Sequence, residues 1–149
     1  MRCVIHHSGT TSGRCHIYSL PFRFTCLEKI SNQFPTIVFN TVTYLHAFDT
    51  VPMQHEFFMR MSQVFPFLEH FSVSNLIPRS SNYYEWKSDE NPYCSFIEYS
   101  HLSSLDLTCV HKDYVVQFLL ETKTHLPCLT DLYVDSHQLR SVTMNFTRN

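Results

Sequence analysis

The stretch HEFFMRMSQVFPFLEHFSVSN, residues 55–75, changes its hydrophobic period half-way along, and that change decides the fold. Its first half sets Phe57, Phe58, Met61, Val64 and Phe65 on one face at helical spacing. Pro66 then stops the helix, because proline has no amide proton and biases the residue before it away from the helical region. Past the proline Leu68, Phe71 and Val73 form an apolar triplet, the last two alternating with polar residues as in a half-buried strand. One helix feeding one strand is half of an α/β unit.

Working outward, the same apolar triplet recurs as Val42-x-x-Leu45-x-Ala47, Leu102-x-x-Leu105-x-Leu107 and Leu129-x-x-Leu132-x-Val134. Successive starts are 26, 34 and 27 residues apart. The surplus in the middle gap falls on 77–95, rich in Ser, Asn, Pro and charge, which reads as an insertion loop. A period near 26 lies inside the range of leucine-rich repeats. A second helix is expected over 113–126, with Val115, Phe118, Leu119, Thr122 and Leu126 as its apolar stripe. It ends at Leu126-Pro127 as the first ends at Phe65-Pro66, and the expected strands begin two residues after each proline, at Leu68 and Leu129. Phe34-Pro35 marks the end of an earlier unit, with 25–33 as its helix and 15–20 as its strand.

Strands joined through helices at this spacing need crossover connections and a parallel sheet. The fold class expected is therefore α/β, a short leucine-rich-repeat-like solenoid of about four or five parallel strands with helices on the outer face. Residues 15–149 form this repeat domain, and residues 1–14, which hold both glycines and no sustained period, read as a flexible N-terminal arm.

Composition narrows the function classes. With 44% apolar residues the chain can offset its ordering entropy and fold. A formal net charge of −2 gives no pull toward a nucleic-acid backbone or an anionic membrane, so neither is expected as a partner. No run approaches the roughly 18 apolar residues of a membrane span, and the residues after Met1 form no apolar leader. Cys26, Cys109 and Cys128 sit among apolar residues and read as packed, reduced thiols, which points to an intracellular protein, cytoplasmic or nuclear. The sequon Asn145-Phe146-Thr147 is the contrary mark.

Signatures of catalysis are missing. Neither Gly9 nor Gly13 stands between a strand and a helix, and His55-Glu56 is followed by Met59 where a zinc protease needs a second His. Cys3, His6, His7, Cys15 and His16 are the right types for zinc, but the adjacent Cys15-His16 chelates awkwardly, and no metal or cofactor is assigned. Cys109, His111 and Asp113 are triad types at alternate spacing; the plainer expectation packs Cys109 and has Asp113 cap the second helix through its first-turn amides. The stronger candidates are the positions that point away from the helices, Tyr44, His46, His70, Asp131 and Tyr133, because repeat proteins bind through that face and Tyr is enriched in binding hot spots. Tyr83, Tyr84 and Trp86 in the insertion loop form a second candidate patch.

Several stretches resemble the repeat region of F-box and leucine-rich-repeat proteins: IYSLPFRF (17–24), FPTIVFNTVTYL (34–45), residues 55–75, HLSSLDL (101–107), DYVVQFLLETKTHLPCLTDLYVD (113–135) and QLRSVTMNFTR (138–148). The resemblance implies a protein–protein recognition module, the substrate-reading part of an F-box-type ubiquitin-ligase adaptor. No F-box-like helical segment precedes the repeats, so recognition is what carries over, and ligase components are expected partners only with such a segment upstream. The alternatives are a non-ligase scaffold or a truncated repeat fragment without independent function, with a small Cys/His hydrolase last.

Overall fold

Alternating apolar and polar residues at 44–48 and 70–75 form strands buried on one face, and the helical stripe at 55–65 packs against that face. A computed structural model of the chain describes residues 2–8, 14–79, 96–119 and 124–146. In chain order its elements are β1 (Arg2–Ser8), β2 (Arg14–Leu20), β3 (Cys26–Ile30), β4 (Tyr44–Phe48), α1 (His55–Val64), β5 (His70–Asn75) and β6 (Ile97–Glu98). There follow β7 (Ser104–Val110), α2 (Lys112–Leu119), β8 (Thr124–His125), β9 (Asp131–Val134) and α3 (Ser136–Phe146). The protein is α/β, built on a five-stranded parallel sheet in the order β3-β4-β5-β7-β9. No helix among the described residues is long and apolar enough to cross a membrane.

Register aligns the apolar triplets. Leu45, Phe71, Leu105 and Leu132 are successive partners across four strands, and Ala47 pairs with Val73 one step on. Under this row lie Phe57, Phe58 and Met61 of α1 and Tyr114, Val115 and Phe118 of α2, all buried. Phe58 meets Phe118 edge-on with centroids 5.0 Å apart. A second aromatic group, Phe34, Phe39 and Phe65, fills the end of the core beneath the helix-free connection from β3 to β4, with centroids 5.5 to 5.6 Å apart.

One backbone device recurs at each strand entry. The carbonyl of Thr25 accepts from the amides of Thr43 and Tyr44, and that of Thr43 from Glu69 and His70. Glu69 does the same for Ser103 and Ser104, and Ser103 for Thr130 and Asp131. Each strand is therefore launched from the entry of the one before it.

The structure corrects several sequence expectations. Residues 25–33 are no helix: 26–30 form β3, pairing Cys26 with Tyr44 and Leu27 with Leu45. The register shifts between Leu27 and Ile30, so two apolar residues three apart both face the core, which in sequence looks like a helical step. Lys29, inside that irregularity, has a φ of 59°. Strand β2 covers the expected 15–20 but pairs antiparallel with β1, in a two-stranded sheet of its own. The arm expected to be loose thus carries a strand over 2–8. Strands after the two prolines begin at His70 and Asp131, not at Leu68 and Leu129; Leu68 is buried in the turn ahead of the strand, where it still packs. Helix α2 is described over Lys112–Leu119, and 124–125, expected to be helical, belong to β8, paired parallel with β6.

The packing expected of three cysteines fails as well: Cys26, Cys109 and Cys128 are exposed. For Cys109 the cause is a bulge. Ser72 pairs with Asp106 but Ser74 with Cys109, three steps on β7 against two on β5, so the alternation flips and Cys109 turns outward.

Candidate functional site

Strand alternation leaves Tyr44, His46, His70, Ser72, Ser104, Asp106, Asp131 and Tyr133 on the face turned away from α1 and α2, each exposed or half-buried. Parallel register gathers them into two rows. Tyr44, His70, Ser104 and Asp131 are successive partners, and so are His46, Ser72, Asp106 and Tyr133. All five face residues singled out from sequence therefore stand in one continuous ladder. Tyr83, Tyr84 and Trp86 lie outside the described residues.

The ladder has a relief. Ser72 and Ser104, the small residues, sit in its middle, and taller side chains rise on either side. Between them lies an open depression of about 170 Å³ bordered by Tyr44, His70, Asp106 and Tyr133. The Tyr44 and His70 rings lean together with centroids 6.4 Å apart. Tyr133 is 55% exposed and Tyr44 38%, so much of both rings is open to solvent. Neither phenol hydroxyl has a hydrogen bond within the described residues. Asp106 Oδ1 accepts from Thr108 N at 2.9 Å and Thr108 Oγ1 at 2.7 Å, which fixes the carboxylate through one of its two oxygens. Thr130 Oγ1 donates to Asp131 Oδ2 at 2.8 Å. His46 Nε2 lies 3.0 Å from Ser74 Oγ. Two aspartates and no Lys or Arg occupy these ladder positions, so the face carries negative charge.

The triad types at 109–113 are separated by their environment. Cys109 faces out beside Ser74, next to Thr108, whereas His111 follows the strand and sets its Nδ1 3.1 Å from Asp113 Oδ2. Asp113 does not cap α2 as expected; its Oδ2 accepts from the Arg79 amide at 3.1 Å and ties down the connection after β5. Among the zinc types, the hairpin register of β1 and β2 sets His6 opposite His16 and His7 opposite Cys15.

Sequence reasoning missed a buried polar junction. Arg79 Nη1 donates to Gln117 Oε1 at 2.8 Å, which turns Gln117 Nε2 toward His55 Nδ1 at 3.2 Å. Thr124 Oγ1 donates to the Gln117 carbonyl at 2.9 Å. Burial lowers the Arg79 guanidinium from its ordinary value, opposed by the nearby Tyr114, Asp113 and Glu56. The junction clamps α1, α2, β8 and the connection after β5 through the Arg79 guanidinium and three uncharged partners that satisfy one another, an arrangement of a structural network. Its directly bonded partners His55 and Gln117 lie 62 residues apart, so no local pattern announces it.

Comparison with protein-family models, with curated proteins and with solved structures found no match.

Proposed function

We propose that this protein is a recognition module that binds a protein partner across the exposed sheet face and performs no chemistry there. The observation that carries the proposal is the ladder: four strands in register bring two Tyr, two His and two Asp onto one surface with a depression at its centre. Exposed aromatic rings beside hydrogen-bonding groups are the composition of binding hot spots.

In this reading the sheet is a short leucine-rich-repeat-like solenoid. The fourfold strand-entry device supports it, since each unit makes the same bonds to the unit before it. The resemblance of the repeats to those of F-box and leucine-rich-repeat proteins extends the proposal to substrate reading within a ubiquitin-ligase adaptor. The free thiols of Cys26, Cys109 and Cys128 suit a reducing compartment, cytoplasm or nucleus.

The test is affinity capture from a lysate with the purified chain beside a variant carrying Tyr44, His46, His70 and Tyr133 changed to Ser. A protein held by the parent and released by a variant of unchanged melting temperature supports the face as a recognition surface. Identical capture by both forms sinks the proposal. Ligase scaffold proteins in the lost set favour the adaptor reading, and their absence from it counts against that extension.

A further inference from the structure

Within that reading, on which this inference rests, we infer that the central depression takes the guanidinium of an arginine side chain presented by the partner. Asp106 and Tyr133 are direct register partners on β7 and β9, so a carboxylate and an aromatic ring stand side by side, about 5 Å apart along the hydrogen-bonding direction. That pairing suits a planar cation, which stacks on the ring while donating to the carboxylate. Asp106 is held in place by Thr108 through Oδ1 alone, so Oδ2 accepts from a ligand without breaking an internal bond.

The surroundings select for the same chemistry. Ser72 and Ser104 keep the floor low, which gives an aliphatic stem room to lie across the strands toward Tyr44. Tyr44 and Tyr133 stand on β4 and β9, three strand spacings apart, or about 14 Å, so the ligand is a side chain with neighbouring backbone and not an isolated ion. Asp131 lies next to Ser104 and adds a second negative charge at the rim. No Lys or Arg stands at these ladder positions to compete for the carboxylates. An anionic or purely apolar partner segment would leave Asp106 desolvated without a counterion, which is costly.

The experiment uses the full chain and two short peptides, Gly-Gly-Arg-Gly-Gly and the same sequence with citrulline, which keeps the shape and removes the charge. Titration followed by backbone amide shifts is expected to move Ser72, Ser104, Asp106 and Tyr133 with the arginine peptide, and at least tenfold more weakly with citrulline. Asp106→Asn keeps Oδ1 and with it the bond from Thr108, so it isolates the charge; it is expected to weaken the arginine peptide about tenfold. Tyr133→Ser, at an exposed position, checks the stacking contribution without a folding cost. Equal binding of the two peptides, no binding of either, or full binding by both variants would overturn the inference. Lysate capture separates it from the broader reading: a partner lost by the four-Ser variant but kept by Asp106→Asn leaves recognition standing and removes the arginine.

Discussion

Tyr99 Oη donates to the carbonyl of Phe58 at 2.7 Å, joining the turn after β6 to the middle of α1 from inside the core. The ring is 3% exposed and packs against Phe71 and Phe118, and burial holds the hydroxyl well above the usual phenol range. The unfolded chain ionises this group near pH 10, while the folded chain keeps its proton. Above that pH the folded state binds more protons, so stability is full below about pH 10 and falls as pH rises, by at most about 1.4 kcal/mol per pH unit for this group. Tyr114, whose hydroxyl burial also raises, adds a loss of the same sign. Tyr99→Phe is expected to cost about 1 kcal/mol at pH 7 and to flatten the alkaline decline. Urea denaturation at pH 7 and at about pH 10.5 measures both, and an unchanged alkaline slope would contradict the assignment.

Leu105 is fully buried and stands in register between Phe71 and Leu132. Truncation to Ala leaves a cavity beneath the middle of the sheet, and the expected cost is about 2–5 kcal/mol. Leu132 belongs to the same row but is 36% exposed on the edge strand β9, so Leu132→Ala should cost distinctly less. Equal losses from the two variants in chemical denaturation would show that the row is not buried as described.

The parts legible in sequence are those where one face must be dry. Leu45, Ala47, Phe71, Val73 and Leu105 had to share a face, and that requirement fixed the strand phase and with it the outward set Tyr44, His46, His70, Asp131 and Tyr133. Irregularities broke the reading. Leu27 and Ile30 mimic a helical step because a bulge separates them, and Cys109 sits where strict alternation would bury it. Ser72 and Ser104 matter for their small size beside large neighbours, and Asp106 for being next to Tyr133. Both depend on which strands are adjacent, and no single segment states that. The His55–Gln117–Thr124 junction was illegible for the same reason.

Lys29 adopts a φ of 59°, a left-handed conformation that costs a residue with a Cβ about 1–2 kcal/mol. Glycine takes that conformation without the clash but loses about 0.5–1 kcal/mol more in chain entropy on folding. Lys29→Gly is therefore expected to stabilise the protein by up to about 1 kcal/mol, whereas Lys29→Val, branched at Cβ, destabilises it. Thermal unfolding of the two variants beside the parent gives the order directly. A less stable glycine variant would mean that the Lys29 side chain contributes more than its backbone strain removes.

Asp135 precedes α3, and its Oδ1 accepts from the amides of His137 at 2.8 Å and Gln138 at 3.2 Å. These are first-turn donors with no partner inside the helix, and a carboxylate there also meets the positive end of the helix dipole. The sequence reading expected a carboxylate cap at Asp113 on α2, whose Oδ2 instead accepts from the Arg79 amide; the carboxylate cap that the structure holds is Asp135 on α3, a helix that packs on α2 and buries Val142. Asp135→Ala is expected to cost about 1 kcal/mol, and Asp135→Asn, which keeps an acceptor, clearly less. Hydrogen exchange at the His137 and Gln138 amides should accelerate in the alanine variant and much less in the asparagine variant. Equal acceleration in both would make the charge at the helix terminus, and not the accepted hydrogen bonds, the larger contribution.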